Sequence, residues 1–127
     1  CDVDATVVTI NNDGGGIFHA LPVESFDPPF TAAFKTPHGI AFEPVAALHG
    51  LEYARIDARP AARSGAGDGS EEAADPAAAL AEAYKRARDS DGSHLIEVRT
   101  DAEASHRTRE RLAAAVERAV HGDDGPA

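Results

Sequence analysis

The residues best suited to chemistry lie together in Asn11-Asn12-Asp13-Gly14-Gly15-Gly16, just after the β-branched run Ala5-Thr6-Val7-Val8-Thr9-Ile10. That run reads as a buried strand, so the turn falls at a strand's carboxyl end, where open α/β sheets bind their ligands. Asparagine offers a neutral oxygen. Three consecutive glycines admit backbone conformations closed to other residues and leave carbonyl and N–H groups accessible. A hard cation such as Mg²⁺ takes near-octahedral oxygen coordination, usually including phosphates of a substrate or cofactor. These residue types therefore suit a magnesium–diphosphate site. They also suit a tight turn in which Asn and Gly merely permit positive φ.

Other chemistry is less well supported. The six histidines (His19, His38, His49, His94, His106 and His121) are scattered, with no pair at short ligand spacing and no cysteine partner. His38, in Thr-Pro-His-Gly, is the best placed for function but reads foremost as a residue that shapes its loop. Glu43, Glu97 and Glu103 read as helix-end or solvated charges. There is no Gly-x-Ser-x-Gly elbow and no phosphate-binding Gly-Lys-Thr. No catalytic acid, base or nucleophile is identifiable.

Positioning that turn requires a scaffold, and the pattern supplies one. Ile17 to Leu21 suits a single helical turn, and Pro22 to Pro37 reads as irregular. A helix over Phe42–Leu48 places Phe42, Val45, Ala46 and His49 on one face and ends at Gly50. Tyr53–Ile56 reads as a second strand. Residues 59–74 are low-complexity, polar and glycine-bearing, which predicts a flexible loop. Asp75-Pro76 starts a helix running to about Arg88, with Leu80, Tyr84 and Ala87 on one face. Leu95–Val98 reads as a third strand. Thr100-Asp101-Ala102-Glu103 matches a capping box, from which a last helix runs to about Val120 and buries Leu112, Val116, Ala119 and Val120. Residues 122–127 form an acidic tail. Strands alternating with helices predict an α/β fold with a mostly parallel sheet flanked by helices. The organisation is then 1–58 around the glycine turn, the loop 59–74, a helix–strand–helix unit over 75–121, and the tail.

Composition narrows the function classes. Of 127 residues, 43% are hydrophobic but only 6% aromatic, so the core must be assembled from small side chains. Asp and Glu total 22 against 12 Lys and Arg, giving a net charge of −10. Only Lys35 and Lys85 are lysines. This balance repels nucleic acid and anionic membranes and suggests a salt-adapted, halophilic source. The single cysteine, Cys1, cannot form an internal disulfide, and no run approaches the ~18 apolar residues of a membrane span. A cytoplasmic location is expected. Cys1 reads as a cut within a longer protein, since three strands and three helices are too few to cover both faces of a sheet.

The stretches NNDGGGIFHALP and TPHGIAFEPVAALHGLEY, with LIEVRTD at Leu95 to Asp101, resemble the 2-succinyl-5-enolpyruvyl-6-hydroxy-3-cyclohexene-1-carboxylate synthases. More loosely they resemble the wider thiamine-diphosphate-dependent enzymes, whose cofactor motif opens with Gly-Asp and closes with Asn-Asn. The resemblance implies the C-terminal half of a thiamine-diphosphate-binding domain. It implies Mg²⁺ (or Mn²⁺), bound by the Asn12 side-chain oxygen and the Gly14 carbonyl, with Asp13 and Gly15 lining the diphosphate turn. Ile17, Phe18 and Leu21 would form an apolar wall of the substrate pocket. The implied reaction, in menaquinone biosynthesis, decarboxylates 2-oxoglutarate and joins the remaining unit to isochorismate. The Gly-Asp half should precede Asn12 by roughly 25–30 residues, so it falls before Cys1 and the chain alone is expected to be inactive. The partners implied are the remainder of the parent chain and further copies in a homodimer or homotetramer. Gly67-Asp68-Gly69-Ser70 spells the motif's opening in the wrong order, inside a low-complexity loop. The rival readings are an acetolactate synthase or 2-oxo acid decarboxylase type, which place other residues at Gly-Gly-Gly-Ile-Phe and Thr-Pro-His-Gly, or a non-catalytic interaction module.

Overall fold

The structure, a computed structural model, describes residues 4–60 and 75–121. The expected loop over 59–74, apart from its first two residues, and the expected tail lie outside that range. Three strands, β1 (Thr6–Asn11), β2 (Glu52–Asp57) and β3 (His94–Arg99), form a parallel sheet in the order β1–β3–β2. Thr6 and Glu52 both lie opposite His94, and Asn11 and Asp57 both lie opposite Arg99. The three strands therefore end level, and everything that follows them in the chain emerges at one edge.

The helices are α1 (Glu43–Leu48), α2 (Pro76–Asp89) and α3 (Ala102–His121). Asp75 caps α2, its side chain accepting the Ala77 N–H at 3.0 Å with Pro76 in the first turn. Gly50, at φ 66°, ends α1. Leu51 N–H reaches Ala46 O at 2.9 Å and Gly50 N–H reaches Ala47 O at 3.3 Å, the paired bonds of a left-handed glycine exit. α2 packs on β2 and β3 around Ile56, Ala83, Ala87, Ile96 and Val98, with Ala54, Ala58, Ala79 and Leu80 against that cluster. This is the expected small-side-chain core. Among the described residues no helix is long and apolar enough to cross a membrane.

Four local expectations are corrected. β1 is a strand but is not buried, because it lies at the sheet's edge and leaves Ile10 71% exposed. α3 does not bury its apolar stripe: only Ala102 is buried, while Leu112, Val116, Ala119 and Val120 are exposed, since the helix docks through its first turns alone. Its cap is Asp101, which accepts the Ala104 N–H at 2.6 Å, while Glu103 reaches Lys35 at 2.9 Å instead of closing a capping box. In α2 the buried face is Ala83 and Ala87, and Tyr84 is half exposed. The segment from Pro22 to Pro37 also has more order than expected. The 3-10 turn Gly16–Ala20 is followed by another at Pro22–Ser25 and a π-turn at Thr31–Lys35.

Candidate functional site

The turn after β1 sits at the carboxyl edge of the sheet, and the sheet ladder runs into it through Thr100 N–H to Asn11 O at 2.8 Å. Asn11 Oδ1 accepts the Asp13 N–H at 3.0 Å, a side-chain-closed turn that supports left-handed Asp13 at φ 60°. Gly14 follows at φ 137°, a conformation that only glycine adopts without strain. The π-turn straps across it: Gly15 N–H donates to Lys35 O at 2.7 Å. A Cβ on Gly14 would fall on that Lys35 carbonyl, and one on Gly15 on the Phe34 carbonyl and the Phe18 ring. A Cβ on Gly16 would stand 2.6 Å from Asn12 Nδ2. Gly14 and Gly15 are thus accounted for by packing against the strap, and Gly16 by its approach to the Asn12 side chain and Ala102.

Asn12 is not. It is half-buried and forms no side-chain hydrogen bond among the described residues. Its amide oxygen and the Gly14 carbonyl are neutral, hard donors, the kind Mg²⁺ takes alongside phosphate oxygens. The donor set at this turn therefore fits a magnesium diphosphate. Among the described residues no group of three or more His, Cys, Asp or Glu is arranged to hold a metal, so a chelating cluster of that other type is not found. Asp13 faces the neighbouring loop: its carboxylate accepts the Gly39 N–H at 2.7 Å and lies 3.5 Å from His38 Nδ1. His38 Nδ1 accepts the Ile40 N–H at 2.9 Å, so His38 shapes the loop that braces the turn.

The three apolar candidates follow at once. Phe18 is half-buried and meets Phe34 edge-on at 5.8 Å, while Ile17 is 73% exposed and Leu21 is also exposed. They share one short segment beside the turn but do not enclose a space by themselves. The cavity of about 160 Å³ lined by Glu52, Tyr53, His94 and α2 lies at the amino ends of the strands, away from the turn.

Two polar clusters were not legible in the sequence. Glu97, expected to be solvated, is 1% exposed at the centre of β3. It accepts from Asn11 Nδ2 at 2.7 Å and from the Tyr53 hydroxyl. Burial pushes its carboxyl up, but the bonds from Tyr53, Asn11 and the Phe42 N–H, with the Arg99 charge, outweigh this and hold it below the usual carboxylate value. Tyr53 is pushed up to about 12 by burial, reinforced by the hydrogen bond and negative charge of Glu97. A Glu inside the apolar run Leu-Ile-Glu-Val was the available signal, since a charge in a central strand must find partners. The second cluster joins His19, Glu24 and His106. Glu24 lies 2.8 Å from His19 Nδ1 and 3.3 Å from His106 Nε2, and the two rings stack at 5.6 Å. This pins the 3-10 turn after the glycines to α3. The His19 hydrogen bond is the main cause of a lowered Glu24 carboxyl.

No family model matches the chain. Among curated proteins, the 2-succinyl-5-enolpyruvyl-6-hydroxy-3-cyclohexene-1-carboxylate synthase of Halorubrum lacusprofundi is 71% identical over 98% of this chain and 19% of its own length. The synthase of the same name from Halobacterium salinarum is 51% identical over 89% of this chain and 16% of its own. That from Haloquadratum walsbyi is 50% identical over 88% and 16%. The chain thus spans about a fifth of the length of the curated relatives it matches.

Proposed function

Because the chain belongs, over the stretch it spans, to the 2-succinyl-5-enolpyruvyl-6-hydroxy-3-cyclohexene-1-carboxylate synthase family, we propose that it forms the metal–diphosphate edge of a thiamine-diphosphate-dependent transferase of menaquinone biosynthesis. The observation that supports this most directly is Asn12, an amide without a protein partner among the described residues, beside a glycine turn at the carboxyl end of a parallel sheet. In this reading Asn12 Oδ1 and the Gly14 carbonyl would hold Mg²⁺ or Mn²⁺, and Asp13 and Gly15 would line the diphosphate turn. When bound, thiamine diphosphate would supply the carbon nucleophile that takes up 2-oxoglutarate, releases CO₂ and passes the remaining unit to isochorismate. Ile17, Phe18 and Leu21 would line the substrate side and exclude water. The exposure of Ile17 and Leu21, with that of β1 and α3, supports a partner surface supplied by the rest of a longer chain or by further copies in a homodimer or homotetramer. A cytoplasmic, salt-adapted enzyme completes the reading; two lysines, a net charge of −10 and halophilic hosts among the relatives support the adaptation.

The test is cofactor titration of the full-length synthase that contains this segment. Asn12→Ala should raise the Mg²⁺ and thiamine diphosphate needed for half-saturation by about tenfold or more, while leaving substrate saturation little changed. A variant with wild-type cofactor dependence but weakened substrate binding would remove Asn12 from the metal site. The 127-residue chain alone, without the Gly-Asp half of the motif, should show no tight binding by calorimetry.

A further inference from the structure

We propose that Glu97, anchored by Tyr53, is a positioning residue for the glycine turn: its carboxylate fixes which way the Asn11 amide faces, and that amide shapes the backbone presenting Asn12 and Gly14. The inference rests on the reading of that turn as the cofactor's metal site. Three side chains on one sheet face run diagonally across the strands, Tyr53 on β2, Glu97 on β3 and Asn11 at the end of β1. The Tyr53 hydroxyl donates to Glu97 Oε2, and Asn11 Nδ2 donates to Glu97 Oε1 at 2.7 Å and to Ile40 O at 3.3 Å. The other end of the same amide accepts the Asp13 N–H at 3.0 Å. A flipped Asn11 would set its oxygen against the carboxylate and the Ile40 carbonyl and its NH₂ against the Asp13 N–H, losing all three bonds and adding repulsion. The Ile40 carbonyl and the Asp13 N–H favour the same flip, and the buried carboxylate at position 97 is the shortest and only charged of the three contacts that select it. That flip holds the Asp13 N–H where Asp13 stands at φ 60°, with Gly14 next to it at φ 137°, so a residue in the central strand contributes to the order of the turn alongside the Lys35 strap.

A charge-reversed pair provides the test. Asn11→Asp places one carboxylate against another. Adding Glu97→Gln restores both bonds made by position 97, because the new amide can donate to the carboxylate now at position 11 and accept from Tyr53; only the longer contact to Ile40 O stays lost. Glu97→Gln alone can keep both contacts by turning its amide. In the full-length synthase, N11D should weaken Mg²⁺-dependent thiamine diphosphate binding by about tenfold or more, E97Q much less, and the double variant should return near wild type. Turnover at saturating cofactor should stay nearly constant across the set. Without cofactor, amide hydrogen exchange in the peptide over residues 11–16 should quicken in N11D and slow again in the double variant. An N11D protein that does not fold, alongside a double variant that does, supports the same coupling. A double variant as weak and as fast-exchanging as N11D, or an N11D protein like wild type, overturns the positioning role. If exchange is rescued but the wild type binds no thiamine diphosphate, the orientation lock stands and the reading of the turn as a cofactor site falls.

Discussion

At the scale of single residues, the chain separates what packing demands from what it does not. Gly14 and Gly15 are small because the Lys35 and Phe34 carbonyls leave no room, whereas Asn12 has no such internal reason. Buried Glu97 and half-buried Tyr53 perturb each other, and their linkage gives a pH prediction. The Tyr53 hydroxyl ionises at about 12 in the fold against 10.0 in an unfolded chain. Its stabilisation is therefore complete below pH 10 and is lost as pH rises through 12, because the unfolded chain releases that proton first. The unfolding midpoint of the chain should fall across this window, and Tyr53→Phe should flatten the fall relative to wild type. The comparison cancels the contribution of the two lysines. An equal slope in both proteins would mean that Tyr53 does not retain its proton in the fold.

Among the elements, helix starts are set by particular side chains. Asp75 and Asp101 each satisfy an otherwise unpaired N–H, at 3.0 and 2.6 Å. Asp75→Ala and Asp101→Ala should each cost about 1 kcal/mol in chemical denaturation. Thr100→Ala should cost much less, because Thr100 precedes the cap and does not form it. A larger loss at Thr100 than at Asp101 would restore the capping box that the pattern first suggested. The same element shows how a short buried contact can orient a long helix: His106 and Ala102 fix the start of α3 beside the 3-10 turn, and the rest projects with its apolar stripe bare.

For the molecule as a whole, charge dominates. A net charge of −10 on 127 residues opposes compaction, and the exposed ion pairs, such as Lys85 with Glu82, offset little of it. Raising KCl from about 0.1 M to about 1 M shortens the screening length from about 10 Å to about 3 Å. The thermal midpoint followed by circular dichroism should therefore rise over that range. A fall would show that attractive pairs, not self-repulsion, set the electrostatic balance.

Local chemistry was legible in the sequence: a β-branched run and two short segments bearing Tyr, Ile or Val became the three strands, Asp-Pro and Gly punctuation became the ends of α2 and α1, and the Asn–Gly run became a turn at the sheet's carboxyl edge. These depend on neighbours within a few residues, so composition and spacing suffice. Burial was not legible. Whether Ile10, Leu112 or Val116 is covered depends on what packs against it from elsewhere, and the same apolar pattern serves a buried face and a docking face alike. Nor was the Asn11–Glu97–Tyr53 line, whose members come from three strands and meet only when β3 is placed between β1 and β2. Hydrogen bonds across that diagonal turn a charge that looks solvated in the sequence into the buried peg beneath the turn.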